Sequence, residues 1–187
     1  MGVDGHEPRI GGAVVVEQMK VLREIYGDGT YARAMKSLPP DVRDEIEAAI
    51  PIGWYSVHAF AAVKIAVARA AGEEPLVLQR KVVKLGTVRT VNFVWRLVMR
   101  HATDEMLIRR TPLLYSRSFD RGKAIARTIG SGRAEIEVHG WQQIPDFDAE
   151  GLAAGIEAVL EIAQRHDAHV RWERQLGGVV FRAAWDT

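Results

Sequence analysis

The sequence predicts an α+β fold in which N-terminal helices pack with a C-terminal four-stranded antiparallel sheet of ββαββ type. Three observations lead there. Arg133-Ala134-Glu135-Ile136-Glu137-Val138-His139 alternates polar and apolar residues, the period of a half-buried strand. Val170 and Trp172 alternate with His169, Arg171 and Glu173, and Val179, Phe181, Ala183 and Trp185 make the inward set of a last strand. Between these pairs Leu152, Ile156, Val159, Leu160 and Ala163 recur at helical spacing, with Glu157, Glu161 and Gln164 assigned to an opposite, solvated side.

The remaining parts of that unit follow. Residues 123–129 supply its first strand, and Gly130-Ser131-Gly132 and Gly177-Gly178 supply the permissive backbone of two hairpin turns. Asp146, Asp148 and Glu150 stand at the start of the helix, where anions complement its dipole. A helix covering one face of an antiparallel sheet buries the apolar side of both.

Upstream the chain reads as helical. Val15, Met19, Leu22 and Tyr26 mark a first helix that stops near residues 27–29, and a short one follows over residues 31–36. Leu38-Pro39-Pro40 separates these from a helix over residues 41–50. The bend Pro51-Ile52-Gly53-Trp54-Tyr55 places two large aromatics as a plug for the core. An alanine-rich helix spans residues 56–71, and a central helix runs over residues 75–101 with Gly86 as a potential break. A further helix over residues 105–115 is interrupted or capped near Thr111-Pro112, and Tyr115-Ser116-Arg117-Ser118 reads as the entry to a strand.

Composition sets the outer bounds. With 187 residues, 48% of them hydrophobic, the chain suits one α+β domain over residues 13–187 after a flexible, glycine-rich leader at residues 1–12. Cysteine is absent, which excludes disulfides, thiolate catalysis and cysteine-ligated metal, and suits a reducing cytoplasm. The N-terminus lacks a signal-peptide pattern, and the apolar run at residues 13–16 is far too short to span a bilayer. A cytoplasmic protein with no membrane span is expected.

The net charge of +1 conceals an asymmetry. Residues 80–133 hold thirteen Lys or Arg against three acidic residues, a segment charge of +10 that leaves −9 for the remainder. Arg89, Arg96 and Arg100 are seven and four residues apart, one stripe of an ideal helix, where guanidinium groups can bind a phosphate or carboxylate. The favoured reading is that the basic segment pairs with the chain's own acidic helices. No nucleic-acid reading motif accompanies it, so nucleic acid is not an expected partner.

Catalytic signatures are missing. Gly130-Ser131-Gly132 lacks nucleophile-elbow spacing, and there is neither a dinucleotide fingerprint nor a phosphate loop. His166 and His169 sit at a helix boundary, and His101 closes the central helix, where a cation complements the dipole. No catalytic or metal-binding residue is assigned, and an enzyme is the least favoured class.

The succession Leu38-Pro39-Pro40, Gly53-Trp54-Tyr55, Leu85-Gly86, Arg110-Thr111-Pro112, Tyr115 and Asp120-Arg121-Gly122 resembles a family of uncharacterised myxobacterial proteins of roughly 200 residues. That family is similar in outline to haem nitric-oxide-binding and 4-vinyl-reductase-type domains, which combine helices with a ββαββ end. The resemblance implies a pocket between helices and sheet. Haem-binding members hold the propionates with a tyrosine, a serine two residues on and an arginine two further; from Tyr115 this sequence has Arg117 and Phe119 at those positions. The cofactor is therefore left unassigned.

Two functional readings stand. The first is a non-catalytic ligand-binding or sensory module holding a small apolar or anionic molecule, with Trp95 and Tyr115 as lining and Arg89, Arg96 and Arg100 as anion contacts. The second is an interaction or scaffolding protein acting as a homodimer.

Overall fold

A computed structural model describes residues 7–91 and 98–186 and has the α+β architecture expected from the sequence. The chain begins with β1 (Arg9–Gly11), antiparallel to β2 (Trp54–Ser56), with Arg9 opposite Ser56 and Gly11 opposite Trp54. Residues 9–12, assigned by composition to the leader, are therefore a strand and the first residue of a helix. Ile10 is held on two sides, by Tyr55 and by a bridge to Phe119.

Helix α1 (Gly12–Lys36) joins the two short helices expected over this stretch, leaving helical geometry only at Gly27, where φ is 76°. A glycine carries no Cβ penalty at that angle, so the chain kinks and resumes. After α2 (Pro40–Glu47) the bend splits its two aromatics. Tyr55 packs on the core and its hydroxyl accepts from Ile50 N at 2.7 Å, whereas Trp54 is exposed, because neighbouring strand residues point to opposite sides. Only half of the expected plug forms.

Helix α3 (Val57–Ala71) starts where Ser56 Oγ accepts from Ala59 N and ends at left-handed Gly72. Helix α4 (Pro75–Thr90) passes straight through Gly86, which is a contact point rather than a break: a Cβ there would lie 2.8 Å from Gln18 Cγ of α1. The single helix expected over residues 75–101 ends instead at Thr90, where Val91 turns to extended geometry (φ −77°, ψ 106°); residues 92–97 lie outside the described residues. Helix α5 (Asp104–Ser118), capped by Thr103, continues through Pro112. Tyr115-Ser116-Arg117-Ser118 is thus its last turn and not a strand entry, held down by the buried Tyr115 ring.

The sheet comprises β3 (Lys123–Gly130), β4 (Arg133–His139), β5 (His166–Gln175) and β6 (Gly178–Asp186), antiparallel throughout in the order β3-β4-β6-β5. Its registers set Ala126 opposite Ile136 and Ile136 opposite Phe181, so the alternating apolar residues form one continuous inner face. The outer face is laced by ions, with Arg127 bonded to Glu135 and Glu137, and Arg182 to Glu135 and Glu173.

Helix α6 (Asp146–Ile162) covers the inner face but is itself covered by α4. No residue between Phe147 and Leu160 is exposed. The side expected to be solvated is a second interior, and Glu157 is only 3% exposed. Its carboxylate accepts from Arg80 at 2.6 Å, from Lys84 at 2.8 Å and from the Val170 amide of β5 at 2.9 Å, and these donors keep its pKa below the usual glutamate value despite burial. Burial with three donors replaces the water that a surface carboxylate would have.

Candidate functional site

Most of the polar side chains that the fold buries meet between α3, α4 and α6. Lys64 lies one turn after Phe60 on the apolar stripe of α3 and is 3% exposed. Its Nζ stands 4.4 Å from the Phe60 ring centroid and 5.3 Å from that of Phe147, within cation–π range. It makes no hydrogen bond or ion pair among the described residues.

Gln79 of α4 donates from Nε2 to the Phe147 carbonyl at 3.1 Å, while its Oε1 is buried without a partner. Asp148, in the first turn of α6, likewise buries an unpartnered Oδ2. Gly151 makes room for this arrangement, since a Cβ there would collide with Gln79 Nε2.

Burial drives the Lys64 pKa down to about 8, with the Asp148 charge opposing that fall. Burial pushes Asp148 upward, opposed by Lys64 and His58. The two groups thus weaken each other's desolvation without forming a close ion pair. An ammonium without a hydrogen-bond partner among the described residues, within reach of the Asp148 charge, can receive a small polar group or ordered water and can exchange a proton near neutral pH.

Sequence reasoning missed this cluster. The available signal was Lys64 itself, the one Asp, Glu, Lys or Arg between residues 57 and 68. The sequence suggests for Asp148 only the role of a dipole partner at the helix start. Its two acidic neighbours are also engaged: Asp146 pairs with Arg174, and Glu150 bonds both Arg80 and Trp172 Nε1.

The residues expected to line a pocket are placed as follows. Arg89, in the last turn of α4, pairs with Glu24 of α1 at 2.7 Å. Arg100 is helical and exposed. Trp95 and Arg96 lie outside the described residues. Tyr115 is buried, stacks against Phe119 with centroids 5.5 Å apart, and donates its hydroxyl to the Arg121 carbonyl at 2.7 Å. Burial pushes that hydroxyl's pKa up. No described contact joins Arg89, Arg100 and Tyr115.

Two surface hollows each have a volume of about 300 Å³. One lies among Asp104, Gln164, Arg165, Trp185 and Asp186, where Arg165 is already bonded to Asp104 and to the Ala102 and Ala163 carbonyls. The other lies beside His58, with Glu7, Asp41, Glu45 and Ser56 around it. No helix among the described residues is long and apolar enough to cross a membrane.

No protein-family model and no curated protein matches this chain. Solved structures do. An H-NOX protein used to probe haem distortion shares 14% identity over 95% of this chain and 96% of its own, with a TM-score of 0.69. An oxygen-binding H-NOX domain related to soluble guanylate cyclases, in its oxygen complex, gives 14%, 95%, 96% and 0.64. An unliganded iron(II) H-NOX variant from K. algicida gives 10%, 95%, 97% and 0.70. At such identities the likeness is one of fold, and it runs nearly end to end.

Proposed function

We propose that this chain is a non-catalytic sensory or ligand-binding module whose ligand is not a histidine-bound haem. The observation that carries the first half is the end-to-end likeness of fold to domains described as haem-containing and oxygen-binding. The second half rests on the donor set. His58, His101, His139, His166 and His169 are all exposed. Tyr115 is committed to Arg121, with Arg117 and Phe119 following where the haem-binding pattern has serine and arginine. These residues do not fit an iron porphyrin ligated from within the fold.

In this reading the ligand is a small apolar or anionic molecule. Arg89, Arg96 and Arg100 remain the proposed anion contacts and Trp95 and Tyr115 the proposed lining, with Arg100 free of a carboxylate partner among the described residues. Lys64, Gln79 and Asp148 add a polar interior that a bound donor would complete. The tie to the myxobacterial family and to 4-vinyl-reductase-type domains, and a cytoplasmic location, belong to the same proposal and are supported by the sequence motifs and the absence of cysteine.

The test is purification after expression with added haem precursor, followed by visible spectroscopy and native mass spectrometry. The expected spectrum has no Soret band. Stoichiometric haem retained through gel filtration would overturn the haem-free half. Failure of a panel of small carboxylates, phosphates and apolar molecules to raise the melting temperature, with nothing co-purifying, would overturn the ligand-binding half.

A further inference from the structure

The basic segment divides into two parts that behave differently. Arg80, Lys81, Lys84 and Arg89 each pair with a carboxylate of the same chain, on α1, α6 or the turn before α4. Arg109 and Arg117 of α5 and Lys123 of β3 are exposed and have no carboxylate partner among the described residues. Met106, Arg109, Leu113 and Arg117 are three, four and four residues apart, which makes one outward stripe of α5. Met106 and Leu113 are exposed on it, and Leu114 flanks them. α5 lies along β3, an edge strand whose Ile125 and Ile129 are also exposed. On α5 the exposed apolar side chains are interleaved with Arg109 and Arg117, which have no carboxylate partner among the described residues, whereas on β3 the cation between Ile125 and Ile129, Arg127, is paired with Glu135 and Glu137.

An acidic surface of the same kind adjoins it through β1. A Cβ on Gly11 would come within 2.8 Å of the Arg117 carbonyl oxygen, and Arg9 N donates to Asp120 at 2.7 Å. The other side of β1 pairs with β2, which exposes Trp54, and the turn leading into β2 exposes Ile50 and, at 87%, Ile52. α2, immediately before that turn, exposes Asp41 and Glu47, neither with a cationic partner among the described residues.

We propose that these adjoining patches form a self-complementary surface whose occupant is a second copy of this chain. A two-fold axis that lays the α5–β3 cations of one copy on the α2 carboxylates of the other satisfies both contacts at once. Superposing like patches would instead set arginines on arginines, which is repulsive. The exposed leucine, isoleucine, methionine and tryptophan side chains supply the apolar contact that such a charge exchange frames. This inference is independent of the ligand reading above.

Sedimentation velocity on the full chain tests it. Wild type is expected to dimerise, with the dimer weakened as salt rises. The pair Arg109→Glu with Arg117→Glu, and separately the pair Asp41→Arg with Glu47→Arg, should each raise the dissociation constant about tenfold or more. An equimolar mixture of the two variants should recover a heterodimer, because each reversed patch then meets its complement. Circular dichroism and thermal melts check that both variants fold, and the mixture keeps the test decisive if one is weakened. A wild-type monomer at every concentration and salt would overturn the proposal, as would a dimer indifferent to both reversals. So would a monomer that instead sediments with phosphatidylserine vesicles, since the cationic stripe would then face lipid.

Discussion

Lys64→Met should make the protein more stable. The ammonium is held among phenyl rings with no close counter-ion, and its fall from 10.5 to about 8 corresponds to roughly 3 kcal/mol of native-state penalty on the charged form. Methionine keeps most of the aliphatic stem and places a polarisable sulfur by the rings, while removing the charge. Asp148 loses an attraction in exchange, so the expected net gain is about 1–2 kcal/mol. Urea unfolding followed by tryptophan fluorescence at neutral pH should show a higher midpoint with an unchanged slope. The pH profile carries an independent signature. Between about pH 8 and pH 10.5 the unfolded chain binds the Lys64 proton and the native state does not, so wild-type stability rises with pH across that window. Below the window both states are charged and the penalty is complete. The difference between wild type and variant should therefore shrink as pH climbs from 8 to 10.5. A variant less stable than wild type by about 2 kcal/mol, with parallel pH profiles, would show that the lysine is a net stabiliser and refute the reasoning.

Other perturbations probe the packing around that cluster. Glu157→Ala strands Arg80, Lys84 and the Val170 amide at the α4–α6–β5 junction and should cost about 3–5 kcal/mol in urea unfolding; a loss under about 1 kcal/mol would mean water replaces the carboxylate. Gly151→Ala forces a methyl onto the confined Gln79 amide and should cost about 1–3 kcal/mol, largely recovered in the double variant with Gln79→Ala; strict additivity would refute the contact. Tyr115→Phe should lose about 1 kcal/mol by leaving the Arg121 carbonyl without its donor, with circular dichroism unchanged; a larger loss would point to a role beyond that bond. Asp148, with its pKa raised, holds its proton more tightly in the native state, so Asp148→Asn should flatten the loss of stability as pH rises above the ordinary aspartate range; an unaltered profile would remove Asp148 from the pH response.

The sheet was legible because its strands obey the two-residue period: Ala134, Ile136, Val138 and Val179, Phe181, Ala183 are buried as the alternation requires. The helices were legible as helices but less so in their ends. Gly27 and Gly86 both looked like stops; the first is a kink and the second a helix contact, and a glycine alone does not distinguish the two. α6 misled most, since a helix buried on both sides can carry glutamate wherever cations from another element await it, as Arg80 and Lys84 await Glu157. The fate of the basic segment was only half readable, because pairing of its first part depends on acidic residues up to 77 positions away that folding brings near. The buried Lys64 cluster required the third dimension, since its three side chains come from three helices.

α6 is a helix with no free side. Alanines at 149, 153, 154 and 158 and glycines at 151 and 155 bring its backbone close to both the helical layer and the sheet, and Glu157 ties α4 to β5 across it. A displacement of α4 therefore meets close backbone approach at these small residues and a carboxylate shared with β5. Close packing leaves little room there for α4 to shift without also straining the Glu157 contact to β5.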